Sequence, residues 1–329
     1  MRARAATFLS RCLLTFGGLG GGLPQRQLRR WRLLFALNIC EQVEKALQKI
    51  RKLFALCFVL AFVAFVHGQA RPYSDDKAVP LVIGETFTIN SKALSETRRI
   101  NVYVPPGYME SAEARLPVLY MPDGGIAEDF LHVAGLVQVS VGNGTMRPFL
   151  LVGIENTERS RDMTGPTENE NDKKIAPRVG GSEAFRSFIR DELMPQVKKR
   201  YRTTNETAIV GESLAGLFAI ETFLLEPDLF DTYIAFDPSL WWNNQKLING
   251  AGERLRPRPK LEKTLYLASS DEKGIAEVTQ RFADVLGKNA ASGVRWHYER
   301  IPDEKHSTIY HPAALKAFRA VFKPVASKQ

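Results

Sequence analysis

Hydrophobic positions along this chain fall into two regimes. Residues 53–66 form one apolar run without a charge, whereas from residue 81 onward short apolar stretches alternate with amphipathic ones. Residues 81–90 and 98–104 alternate like antiparallel edge strands, and Pro105-Pro106-Gly107 punctuates the second. Residues 116–121 and 149–153 are continuously apolar, as strands covered on both faces are. Residues 183–199 place Phe185, Phe188, Ile189, Leu193 and Val197 on one face of a helix. The apolar run at 208–210 leads into a helical pattern at 214–225. Strands are then predicted at 232–236, 264–268 and 294–301, and helices at 274–286 and 312–322. Edge strands followed by repeating strand and helix predict an α/β fold with a mostly parallel central sheet and helices on both faces. No repeat or long linker interrupts residues 71–329, which read as a single domain.

Charge and cysteine change the picture only for the first 70 residues. The net charge of +9 would suit a nucleic-acid partner, but residues 1–70 carry eleven of the 45 basic residues and two of the 36 acidic ones, so the rest is neutral. A neutral body lacks the phosphate-neutralising surface that nucleic-acid binding needs. Cys12, Cys40 and Cys57 lie in the same segment, so residues 71–329 offer no disulfide, thiol nucleophile or cysteine metal site.

That segment reads as targeting. Arg51 and Lys52 precede the apolar run, and Gly68-Gln69-Ala70 closes it with a small-x-small cleavage pattern. Residues 51–70 are therefore expected to be a signal peptide cleaved after Ala70, giving a secreted or periplasmic protein, or a membrane anchor if uncleaved. Residues 1–50 read as a disordered extension or one arising from a start assigned too far upstream.

The candidate chemistry centres on Val210-Gly211-Glu212-Ser213-Leu214-Ala215-Gly216. A strand, a sharp turn and a helix with serine at the apex lift a hydroxyl clear of both elements, provided that residues two before and two after it are small. Gly211 and Ala215 meet that condition. This is the nucleophile elbow of the α/β-hydrolase fold, in which serine, acid and histidine follow in chain order. His306, in the polar loop after the last strand, is the candidate base. His132 precedes the elbow, His297 lies within a strand and His311 opens the terminal helix. The acid is expected just after the strand at 264–268, with Asp271 the first candidate and Glu272 the second, Asp237 and Asp303 being weaker ones. A serine–histidine dyad is also open. The oxyanion hole is expected from the N–H of Leu214 and that of Gly124 or Gly125. Arg159 and Arg161, after a strand end, are candidates for an anionic substrate, with loop-holding ion pairs as the equal alternative for Arg161. Trp241 and Trp242 are candidate pocket walls, one of them expected in the core. Residues 165–178 read as a mobile polar loop and candidate lid.

Several longer strings carry a resemblance. They are Leu119-Tyr120-Met121-Pro122-Asp123-Gly124-Gly125, the segment 152–164, the segment 180–202, the elbow, and Asp237-Pro238-Ser239-Leu240-Trp241-Trp242. Over roughly residues 80–322 the chain resembles the putative-esterase family of α/β-hydrolases, which includes trilactone siderophore esterases, S-formylglutathione hydrolases, feruloyl esterases and mycolyltransferases. It is most similar to the siderophore esterase branch, and departs from the family pattern at Asp237 and Glu212. The resemblance implies a serine carboxylic ester hydrolase working through an acyl-enzyme, with no metal or cofactor and a small-molecule ester as partner. The alternatives are acyl transfer to a hydroxyl acceptor and an inactive binding protein on the same scaffold. A membrane enters only through the N-terminal segment, and neither the ester nor the oligomeric state is specified.

Overall fold

A computed structural model describes residues 80–324, apart from 257 and 259. The predicted extension, signal segment and cleavage point lie outside the described residues. Among the described residues no helix is long and apolar enough to cross a membrane.

The first two strands, β1 (Glu85–Ser91) and β2 (Glu96–Tyr103), pair antiparallel at one edge. The others are β3 (Leu116–Pro122), β4 (Leu150–Ile154), β5 (Thr203–Glu212), β6 (Thr232–Phe236), β7 (Lys263–Ser269) and β8 (Val294–Arg300). The sheet order is β1-β2-β4-β3-β5-β6-β7-β8, with β2 antiparallel to β4 and every later pairing parallel. The central strands are apolar throughout because both faces are covered. Alternate residues face opposite layers: Val118 and Tyr120 join one core cluster, and Leu119 and Met121 the other.

Helices α1 (Phe130–Gly142), α2 (Arg159–Met163), α3 (Ser182–Phe188), α4 (Met194–Arg200), α5 (Leu214–Leu225), α6 (Trp242–Asn249), α7 (Ala251–Leu255), α8 (Lys273–Asn289) and α9 (Tyr310–Val321) complete the domain. Residues of α1 and α9 pack with one face of the sheet, and residues of α3, α5, α6, α7 and α8 with the other. The helix predicted at 183–199 is continuous but carries a π-helical turn at Ile189–Leu193, which ends two residues before Pro195. Proline lacks an N–H and its ring crowds the carbonyl four residues earlier, so a widened turn admits it without breaking the helix. Helix α1 was not expected from the pattern. Its sequence, FLHVAGLVQVSVG, is β-branched and apolar on nearly every side, so it has no polar stripe to reveal a helical period.

The parallel register brings the carboxyl ends of β5, β6 and β7 to one level. Glu212 is opposite Phe236, and Phe236 opposite Ala268. The residues following those positions therefore gather at one rim, where open parallel sheets place their ligands.

Candidate active site

Ser213 sits at that rim with φ +59°, a left-handed conformation that costs a non-glycine residue energy. Two backbone bonds hold the turn, from Ser213 N–H to the Phe236 carbonyl at 3.0 Å and from Ser239 N–H to the Ser213 carbonyl at 3.0 Å. A Cβ on Gly211 would lie 2.6 Å from the Ala215 Cβ, so the two small residues are demanded by each other as well as by the turn.

The structure brings Ser213 and His306 together. His306 Nε2 is 3.1 Å from Ser213 Oγ, and His306 Nδ1 is 3.0 Å from Asp237 Oδ2. The acid against the imidazole is thus Asp237, not Asp271 or Glu272. Asp271 is exposed at the surface, where Lys305 donates to it at 3.0 Å and Arg300 lies at 3.7 Å. Its backbone N–H instead bonds the Glu304 carbonyl at 2.9 Å, pinning the loop that carries His306. Glu272 stands at the N-cap position of α8 without a side-chain capping bond and lines the cleft. Asp303 is exposed. Asp237 is fully buried, follows β6 with φ +40°, and accepts from Ser270 N–H at 2.7 Å and Ser270 Oγ–H at 2.6 Å. One signal could have found it in the sequence, a lone carboxylate directly after a continuously apolar strand and before proline, at a position where the chain leaves its family's pattern. The other histidines lie apart: His132 contacts Asp129 and Tyr310, and His297 packs on Tyr266.

The pair Asp237–His306 raises the imidazole above its ordinary pKa of 6.5, chiefly through the hydrogen bond to Asp237 and despite partial burial. Glu212, the last residue of β5, also reaches His306 Nδ1, at 3.2 Å. Burial pushes its carboxyl up to about 7, opposed by His306 and Arg159.

For an oxyanion, Leu214 N–H is one of the first-turn donors that a helix leaves without an internal partner. The glycine pair is less free than the sequence suggests. Gly124 N–H already donates to the Ile154 carbonyl at 2.9 Å, and Gly125 N–H to Glu128 Oε2 at 2.6 Å. The reason for Gly124 is the neighbouring strand, since a Cβ there would lie 2.2 Å from Ile154 N.

Residues 91–319 match the family model described as Putative esterase. The chain belongs to that family. Ferri-bacillibactin esterase BesA of Bacillus subtilis is 30% identical over 169 residues, 45% of this chain and 56% of BesA. The siderophore triacetylfusarinine C esterase of Aspergillus fumigatus is 29% identical over 192 residues, 53% of this chain and 61% of that protein. The matches thus span between half and two thirds of these relatives. Among solved structures, an IroE-like serine hydrolase from Shewanella oneidensis superposes with a TM-score of 0.66 at 29% identity, over 73% of this chain and 80% of that one.

In this esterase-family chain a cleft of about 610 Å³ opens beside Ser213 and His306, between the segment from Ser239 to Gln245 and the first turns of α8. Trp241, Ile275 and Val278 supply apolar wall, and Glu272 and Glu277 the charges; no Lys or Arg lines it. Trp241 therefore lines the cleft, whereas Trp242 is core, its Nε1–H donating to the Gly165 carbonyl at 2.9 Å. Neither candidate arginine is free for a substrate. Arg159 makes two bonds to the buried Asp123 carboxylate, at 2.7 and 2.8 Å. Arg161 is held by Glu96 at 2.8 Å and Asp162 at 2.7 Å. Nor is the 165–178 loop loose: its buried Asp172 accepts from Asn243 N–H at 2.8 Å and from Thr167 Oγ1–H at 2.7 Å. Among the described residues, Glu212, Asp237 and His306 are the one carboxylate–imidazole cluster tight enough to hold a cation, their ligating atoms lying within 4.8 Å. A cation there would have to replace the Nδ1 proton, which the contact with Asp237 needs.

Proposed function

We propose that this chain hydrolyses carboxylic esters through an acyl-enzyme on Ser213, and that siderophore-type esters are its substrate class. The observation that carries this is the connected series Asp237–His306–Ser213, at 3.0 and 3.1 Å, with its serine at a strained elbow. His306 Nε2 takes the proton as Ser213 Oγ attacks the ester carbonyl, and Asp237 holds Nδ1–H so that the resulting imidazolium is stabilised in place. Leu214 N–H faces the developing oxyanion. Collapse breaks the ester C–O bond, and the departing alcohol takes its proton from His306. Water, deprotonated by the same nitrogen, then releases the carboxylic acid and restores Ser213.

The acidic cleft refines the substrate. An uncharged ester with a flat or apolar part against Trp241 fits better than a complex carrying several negative charges, because Glu272 and Glu277 face it without a lining cation. The relatives named as siderophore esterases support the class.

Fluorophosphonate labelling of the purified full chain tests the reading. Label is expected on the parent and lost in Ser213→Ala and His306→Ala. Asp271→Asn is expected to keep its rate within about threefold, since exposed ion pairs contribute ~0–1 kcal/mol. A folded parent that takes no label would remove the esterase reading. The same proposal places the protein across a membrane from its site of synthesis, on the strength of residues 53–70. The natural protein is then expected to begin at Arg71, and an N-terminus near residue 1 would overturn this.

A further inference from the structure

Glu212 has no part in the reaction just described, yet it stands closer to the imidazole than a bystander would. Its Oε1 is 3.2 Å from His306 Nδ1, the same nitrogen that Asp237 Oδ2 reaches at 3.0 Å. That Oε1 is shielded from water and has no hydrogen-bond partner. A buried carboxylate oxygen without a donor is costly, and a side chain free to turn outward would avoid the cost. Glu212 cannot relocate cheaply, because it ends β5 in register with Phe236 and immediately precedes the strained serine.

The charges around it explain what could offset that cost. Asp237 faces it from the end of β6, Asp123 from the end of β3, Arg159 from α2 and His306 from the loop after β8. The buried Tyr310, the first residue of α9, feels the same carboxylate together with Asp129 and Asp123. Arg159 is already committed to Asp123 through two bonds. Among the described residues, the positive partner left for Glu212 is the imidazolium, which forms whenever His306 takes up a proton, from solvent at low pH or from the serine or water during turnover.

Resting on the esterase reading, we propose that Glu212 is a second acid of the catalytic centre, a positioning residue that faces His306 Nδ1 beside Asp237 and sustains turnover when Asp237 is lost. No proton leaves His306 Nδ1 in this role. The proton moves between Ser213 Oγ and Nε2 as before, and Glu212 contributes negative charge opposite the imidazolium. Its burial and the two neighbouring carboxylates, which hold its carboxyl near 7, leave it partly protonated at rest and fully charged only at higher pH. The turnover rate should therefore carry the Glu212 ionisation as well as that of His306.

The test compares the full chain with Glu212→Gln, Glu212→Asp, Asp237→Asn and the Glu212→Gln/Asp237→Asn pair on a short p-nitrophenyl ester from pH 5 to 9. Thermal unfolding of each variant checks the fold. Glu212→Gln is expected to lower kcat about three- to tenfold with KM unchanged and to remove an ionisation near pH 7, while Glu212→Asp restores part of the loss. Asp237→Asn should keep well above the ~10⁴-fold loss seen when a triad has a single acid, and the double variant should fall to that level. Glu212→Gln with the parent's kcat and pH profile, or Asp237→Asn as inactive as the double variant, would overturn the proposal while leaving Ser213 labelling intact. An unlabelled, inactive parent would instead overturn the esterase reading on which it rests.

Discussion

At the scale of single residues, three carboxylates with the same chemistry end in three different states because of what surrounds them. Asp237 is buried but fully satisfied by Ser270 and His306, Asp271 is a surface partner of Lys305, and Glu212 is partly buried with one shielded, unmet oxygen. The last has a consequence for stability. Its carboxyl is raised from 4.5 to about 7, so between those values the folded chain holds a proton that the unfolded chain has released. Its contribution to stability is then complete below pH 4.5 and is lost as pH rises through 7. His306, also raised, changes in the same direction from 6.5 upward. Glu212→Gln should accordingly stabilise the protein at pH 8, by about 3 kcal/mol, and change little at pH 4. Urea unfolding at the two pH values measures this, and equal destabilisation at both would refute it.

At the scale of elements, the site depends on backbone approaching backbone. The loop after β3 is fixed by Gly124 N–H on Ile154, by Asn101 Nδ2–H on the Gly124 carbonyl at 2.8 Å, and by the contact of Gly124 with Gly153. A methyl at position 124 would meet Ile154 N at 2.2 Å, and neither strand can yield without breaking the ladder between β3 and β4. Gly124→Ala is expected to cost ~3 kcal/mol or more, as overpacking against main chain does. Urea denaturation checks it, and a loss below ~1 kcal/mol would mean the loop is looser than its hydrogen bonds imply. The same close packing accounts for the elbow: Gly211 and Ala215 are small because β5 and α5 touch there.

At the scale of the whole molecule, a parallel sheet delivers groups distant in sequence to one rim and sets the charge of the cleft they share. Replacing both Glu272 and Glu277 by Gln should raise kcat/KM for an anionic ester relative to a neutral one by about three- to tenfold at low salt, with the gain fading at high salt. A ratio unchanged by the substitutions would show that the cleft charge does not select substrates. Much of this architecture was legible in the sequence. Apolar runs bounded by turns mark β3, β4, β6 and β7, and the glycine–serine–alanine spacing marks the elbow, because these depend on local periodicity and on residue size. The pairing of Ser213 with a histidine after the last strand was equally readable, since chain order alone narrows the choice. What only the tertiary structure decided is which carboxylate meets that histidine and that both arginines are already paired. Asp237 and Asp271 both follow apolar strands, and Arg159 and Arg161 both follow β4. Their separation depends on the register of neighbouring strands and on partners far along the chain, such as Glu96 for Arg161 and Ser270 for Asp237. Local pattern carries the elements because it reflects burial of each segment's own side chains, whereas the identity of an ion-pair partner is set by distances that exist only after folding.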